Sequence, residues 1–171
     1  MGKRLFAVVR SVIVSAVFVS LWTWFAPRWI AAEKGVTFHL ERGWPLILMA
    51  AGGAIMLLCV FDFAWTGLGT PAPFDAPRRF VTVGCYRWVR NPMYLGMGIF
   101  LAGEALLLPT ITREMFIMMA VLWATVTVFI VVYEEPTLHR LFGADYDRYR
   151  QHVRRWIPRL SPWHPELLAT T

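Results

Sequence analysis

The residues of this chain best suited to chemistry lie between Gly84 and Gly98, in the stretch GCYRWVRNPMYLGMG. Arg87 and Arg90 can each grip a carboxylate or phosphate through paired, charge-assisted hydrogen bonds. Pro92 suits the first position of a helix, and the positive end of that helix's dipole favours an anion at the same place. Tyr86 and Tyr94 flank the arginines, with Asn91 between Arg90 and Pro92. The plainer alternative is a basic flank with interfacial tyrosines at the end of a membrane span. Gly96 and Gly98 weaken a helix, so they mark either close packing of a neighbouring helix or close approach of a ligand. No strand pattern precedes them, which excludes a Rossmann phosphate loop.

Glu134 and Glu135 stand where an apolar run ends. Adjacent carboxylates at a membrane boundary are costly, and a helix C-terminus is an unfavourable place for them. They require compensation, either from nearby arginines or from a ligand bearing hydroxyl or cationic groups. Glu104, inside another apolar run, is an intramembrane acid and hence a functional candidate, with an ion pair to Arg10 as the structural alternative. The tail FGADYDRYRQHVRRWIPR adds several arginines, Arg155 among them. His39, His139, His152 and His164 lie far apart without ligand spacing, so no metal site is expected. Cys59 and Cys85 have no CxxC spacing and support neither a disulfide framework nor a zinc site. No Ser/His/Asp or Cys/His arrangement is legible.

These groups need a scaffold, and composition says which kind. Of 171 residues 57% are hydrophobic, with 9 Trp, 12 Phe and 8 Met, more apolar than a soluble globule. The hydrophobic pattern predicts an all-α, polytopic membrane helix bundle forming a single domain over residues 1–171. About four spans are expected, at 5–25, 45–65, 93–108 and 115–133, with a mixed loop from Ala26 to Trp44. The first run is longer than a signal-peptide core and lacks a small-residue cleavage site, so it reads as a retained span. Ala50, Ala51, Gly52, Gly53 and Ala54 let a helix approach the second span closely. Residues 67–92 form a loop carrying the basic motif, rich in Gly and Pro at its start. Residues 136–160 read as a basic amphipathic segment lying on the membrane surface.

The net charge of +6 sits beside apolar spans, so anionic membrane lipids, not nucleic acid, are the expected counter-charge. Four spans put the N-terminus, the 67–92 loop and the tail on one side, where most of the arginines lie. The positive-inside rule makes that side cytoplasmic.

Taken in order, GCYRWVRNPMYLGMG, then EEP, then FGADYDRYRQHVRRWIPR resemble the integral membrane methyltransferase superfamily, which includes isoprenylcysteine carboxyl methyltransferases and phospholipid N-methyltransferases. The resemblance covers about Gly69 to Arg159. It implies S-adenosylmethionine as methyl donor, bound by Arg90, Pro92, Tyr94, Gly96, Gly98, Glu134 and Glu135, and Tyr86 beside the arginines joins the cofactor-binding candidates from the motif itself. It assigns Arg155 to the arginine near the family's C-terminus, and Asn91 to the place of a histidine. Catalytic candidates are then Arg90, Asn91, Arg155 and Glu104. The expected reaction is methyl transfer at the cytoplasmic face to a lipophilic or small membrane-partitioning acceptor, a carboxylate, thiol or amine. The competing readings are an NADPH-dependent membrane reductase related to sterol reductases, and a non-enzymatic lipid- or helix-binding membrane protein.

Overall fold

The computed structural model describes residues 19–37, 43–67 and 80–164, with positions 9, 13, 16 and 17. The expectations placed on Arg10, His39 and most of the 67–92 loop before residue 80 lie outside the described residues.

Every regular element among the described residues is helical. A π turn at Leu21–Phe25 leads into α1 (Ala26–Glu33); α2 (Pro45–Asp62) closes with a π turn at Phe63–Gly67. A 3-10 turn, Gly84–Arg87, precedes α3 (Pro92–Leu107) and α4 (Thr112–Phe129). A further π turn, Ile130–Glu134, joins α4 to α5 (Glu135–Phe142), and α6 (Ala144–His152) follows.

Two of these helices are long and apolar enough to cross a membrane, Pro45–Asp62 and the continuous Thr112–Phe142, while Pro92–Leu107 is apolar but shorter. Of the four expected spans, two are therefore long enough among the described residues, the third is the shorter apolar helix, and much of the first lies outside them. Leu46, Ile47, Leu57, Leu58 and Phe61 on α2, and Ile117, Val121 and Val128 on α4, are exposed. So broad an apolar surface is unfavourable in water and suits contact with lipid tails.

Glycine sets the closest helix contact. α2 and α3 run antiparallel with Gly52 against Gly96 and Pro45 against Gly103, so backbone meets backbone. A Cβ on Gly52 would stand 2.4 Å from the Gly96 carbonyl and 2.5 Å from the Phe100 amide nitrogen. α3 packs far more tightly on α2 than on α4. At the end of the bundle away from the basic motif, Ala31 of α1 packs with Ala105, Leu108, Ile111 and Met115. A Lys34–Glu114 ion pair lies at the rim.

Two boundaries differ from expectation for one physical reason. The first helix continues through Pro27 to Glu33, where a loop was expected, and α4 continues through Pro136 to Phe142. Proline lacks an amide hydrogen and its ring clashes with the carbonyl a turn earlier. Each of these prolines follows a π turn, Leu21–Phe25 or Ile130–Glu134, whose wider coil absorbs the ring without ending the helix. Glu134 and Glu135 therefore stand inside a long helix and not at a C-terminus.

The adjacent glycines of α2 yield a paired prediction. Gly52→Ala should lower the thermal midpoint in detergent, costing on the order of 1–3 kcal/mol, because the added methyl meets unyielding backbone. Gly53→Ala meets only the Phe100 ring at 3.7 Å and should be neutral or slightly stabilising, since alanine favours a helix by up to about 1 kcal/mol.

Candidate functional site

The basic motif is folded by its glycine and tied down by the tail. Gly84 has φ +53°, a left-handed conformation open to glycine, and its missing side chain leaves room for the Asp62 carboxylate at the end of α2. The 3-10 turn then buries Tyr86, and Pro92 opens α3 as its first residue, as the sequence predicts. Asn91 adopts the cap position but is buried, and its side-chain amide donates to the Arg155 carbonyl at 3.2 Å.

Residues 153–164 do not continue as a surface helix; they form an extended strap across the motif. The Arg90 amide donates to the Arg154 carbonyl at 2.9 Å, the Arg159 amide to Trp88 at 2.8 Å, and the Trp163 amide to Arg87 at 2.9 Å. α6 is anchored beneath, with Tyr146 and Tyr149 buried alongside Val153 and Trp163. The Tyr149 hydroxyl donates to the Tyr86 carbonyl at 2.6 Å. The expected amphipathic segment over 136–160 is thus corrected to the end of a long helix, a short helix and a strap.

One carboxylate gathers these pieces. Arg155 donates to both oxygens of Glu135, from Nε at 2.8 Å and from a terminal nitrogen at 2.9 Å, and Arg90 meets the same carboxylate at 3.0 Å. The hydrogen bond to Glu135 holds the Arg155 guanidinium above its ordinary pKa. Arg90 also donates to the Tyr146 hydroxyl at 3.3 Å. Burial pushes the Tyr146 hydroxyl upward, with Glu135 adding to it and Arg90 opposing.

Two polar groups beside this cluster are unspent. The Glu134 side chain makes no hydrogen bond or ion pair with any described residue, although Glu134 lies within electrostatic reach of the Tyr86 and Tyr94 hydroxyls. Burial first, then Cys59 and Glu134, push the Tyr86 hydroxyl well above its ordinary range. Arg90 Nε is buried with no hydrogen-bond partner. A buried donor left unpaired costs on the order of 1–3 kcal/mol, which a bound acceptor would recover.

The two glycines of α3 separate. Gly96 faces α2 at backbone contact, which accounts for its missing side chain. Gly98 faces α4, where a Cβ would stand 3.2 Å from the Trp123 ring. There Tyr94, Met97, Gly98, Leu101, Met119, Leu122, Trp123 and Val126 line an apolar cleft. Trp156 of the strap packs on two of these residues, its ring 4.4 Å from that of Trp123 and 6.5 Å from that of Tyr94.

Arg90, Asn91, Pro92, Arg155 and Glu135 thus come together, with Glu134, Tyr86 and Tyr94 adjoining. Glu104 does not join them: it is buried ten residues beyond Tyr94 along α3, about 15 Å away. Among the described residues no group of His, Cys, Asp and Glu could hold a metal ion. Trp123 went unnoticed in the sequence because it lies in an unbroken apolar run, and Trp156 counted only as part of an amphipathic pattern.

A family model described as phospholipid methyltransferase matches residues 42–145. No curated protein and no solved structure matches the chain.

The two adjacent glutamates should behave oppositely in the ligand-free protein. Glu135→Ala strands two arginines and should cost about 2–3 kcal/mol, less than a fully buried pair because Glu135 is 15% exposed. Glu134→Gln removes only a like-charge neighbour and should leave the thermal midpoint unchanged or raised.

Proposed function

The chain belongs to the phospholipid methyltransferase family, and on that premise we propose that it transfers a methyl group from S-adenosylmethionine to a lipophilic acceptor at the cytoplasmic face of a membrane. The observations that support this most directly are Arg90 Nε, buried without a hydrogen-bond partner beside Glu135, and the adjacent Glu134 carboxylate, which pairs with no described residue. They are opposite in charge, and the amino-acid end of S-adenosylmethionine carries an ammonium and a carboxylate that complement them. The residues present fit the donor.

When bound, the donor supplies a methyl on cationic sulfur, which passes in line to a lone pair of the acceptor while the sulfur keeps the bonding electrons as a neutral thioether. The chain's own part is to bind and orient. Glu134 accepts hydrogen bonds from the ammonium or the ribose hydroxyls. Arg90 donates from Nε to the carboxylate while its other end stays on Glu135. Glu135 and Arg155 are positioning residues that hold that guanidinium still. The strap, bonded to Arg90 and Trp88, shields Arg90 and Glu135 from most of the solvent, which strengthens these contacts.

A carboxylate or thiolate acceptor needs no base, whereas an ammonium must first lose a proton. A phosphorylated dinucleotide needs several anion-binding groups, whereas among the arginines on Glu135 Arg90 Nε is the one buried donor left unpaired, which counts against a reductase. Arg140, Arg148, Arg150 and Arg154 are exposed, and in this reading they meet anionic lipid headgroups.

Calorimetry should show S-adenosylmethionine binding weakened at least about tenfold, near 1.4 kcal/mol, in both Glu134→Gln and Arg90→Lys. Unchanged affinity in both variants removes the site assignment. Absence of label transfer from methyl-labelled S-adenosylmethionine into a membrane lipid extract removes the activity.

A further inference from the structure

We propose that the apolar cleft between α3 and α4 holds the aliphatic chain of the methyl acceptor, and that Trp156 on the C-terminal strap is the gate between this cleft and the cofactor site. The inference rests on the methyl-transfer reading above. Apart from Tyr94 and Trp123, the described residues lining the cleft carry no polar side-chain atom, so a hydrocarbon chain suits it and water does not.

Tyr94 belongs to both places. It lines the cleft, and its hydroxyl lies within electrostatic reach of Glu134 at the cofactor site. An acceptor with a reactive head and one apolar chain matches that continuity, its head at Tyr94 and its chain running toward Leu101. Tyr94 to Leu101 covers seven residues of α3, about 10 Å of groove. The neighbouring surface of α4 exposes Ile117, Val121 and Val128, so a chain can enter sideways from the bilayer.

Trp156 stands where head and chain would meet. Its ring packs against Trp123 and Tyr94. Its backbone position is fixed by its neighbours, since Arg154 and Arg155 are bonded to Arg90 and Asn91 and the Arg155 side chain is bonded to Glu135. The strap thus presents the Trp156 ring at this junction while its backbone stays tied to the cofactor site, so the ring gates the cleft and sets specificity for the acceptor.

The test uses the full-length protein in detergent micelles, methyl-labelled S-adenosylmethionine, and two series of single-chain probes, alkylphosphoethanolamines and S-alkylcysteines. In the wild type kcat/KM should rise about fourfold per added methylene until the groove is filled, then level off. Met119→Phe, at the deep end of the cleft, should bring the levelling point to shorter chains. Trp156→Ala should admit branched chains that the wild type rejects. In Met119→Phe the affinity for S-adenosylmethionine, read by calorimetry, should stay within about twofold, or roughly 0.4 kcal/mol. A wild type whose rate is indifferent to chain length, or a folded Met119→Phe with an unaltered levelling point, overturns the cleft while leaving the methyl-transfer reading intact. Failure to transfer to any probe, with no cofactor binding, overturns both.

Discussion

The structure depends on one carboxylate. Glu135 accepts both prongs of the Arg155 guanidinium and a further bond from Arg90. Those groups come from the long helix, the strap and the approach to α3, which are distant in sequence. Two cations on one anion, 15% exposed, are favourable only because the geometry is bidentate and the surroundings keep water away. The strap's backbone bonds to Trp88, Arg90 and Arg87 flank the same contact. With Glu135 occupied structurally, its neighbour Glu134 is the carboxylate left over. Two adjacent glutamates thus divide their labour, and the π turn immediately before Glu135 sets the direction in which each one points.

Much of this was legible in the sequence, and what was not has a common cause. The all-helical class, the apolar run from Pro45, the start of α3 at Pro92 and the need to compensate two glutamates all follow from local patterns. The arginine alternative proved right for Glu135 and unsupported for Glu134, a distinction that no spacing rule makes between adjacent residues. The expected spans ended at residues 25 and 133, just before Pro27 and Pro136, and proline normally ends a helix. Both helices continue, since a π turn widens the coil just before the ring. Whether a helix takes that route depends on packing beyond it, and here α5 has Leu138 and Phe142 to bury against Tyr146 and Tyr149.

The strap was the largest omission. Residues 136–160 have aromatic and aliphatic side chains at helical spacing, and an amphipathic surface helix is the local solution to that pattern. Gly143 breaks it at φ +49°, and after His152 the chain turns extended. The gain that pulls it out of a helix comes from Arg87 to Asn91, more than sixty residues earlier, whose backbone groups and the Arg87 and Asn91 side chains find partners in the strap.

The glycine pair of α3 brings fold and site into one statement. Residues two apart on a helix point about 200° away from each other, so Gly96 and Gly98 cannot serve the same neighbour. Gly96 admits the backbone of α2, and Gly98 leaves the space bounded by Trp123. The first contact holds α3 against a rigid partner. That rigidity lets the opposite face carry a cleft, because a helix gripped on one side need not close the gap on the other. Pro92, at the head of the same helix, fixes where Arg90 and Asn91 leave it. Position along α3 thus orders the molecule, from the charged cluster at its start, through the cleft, to the buried Glu104 near its end.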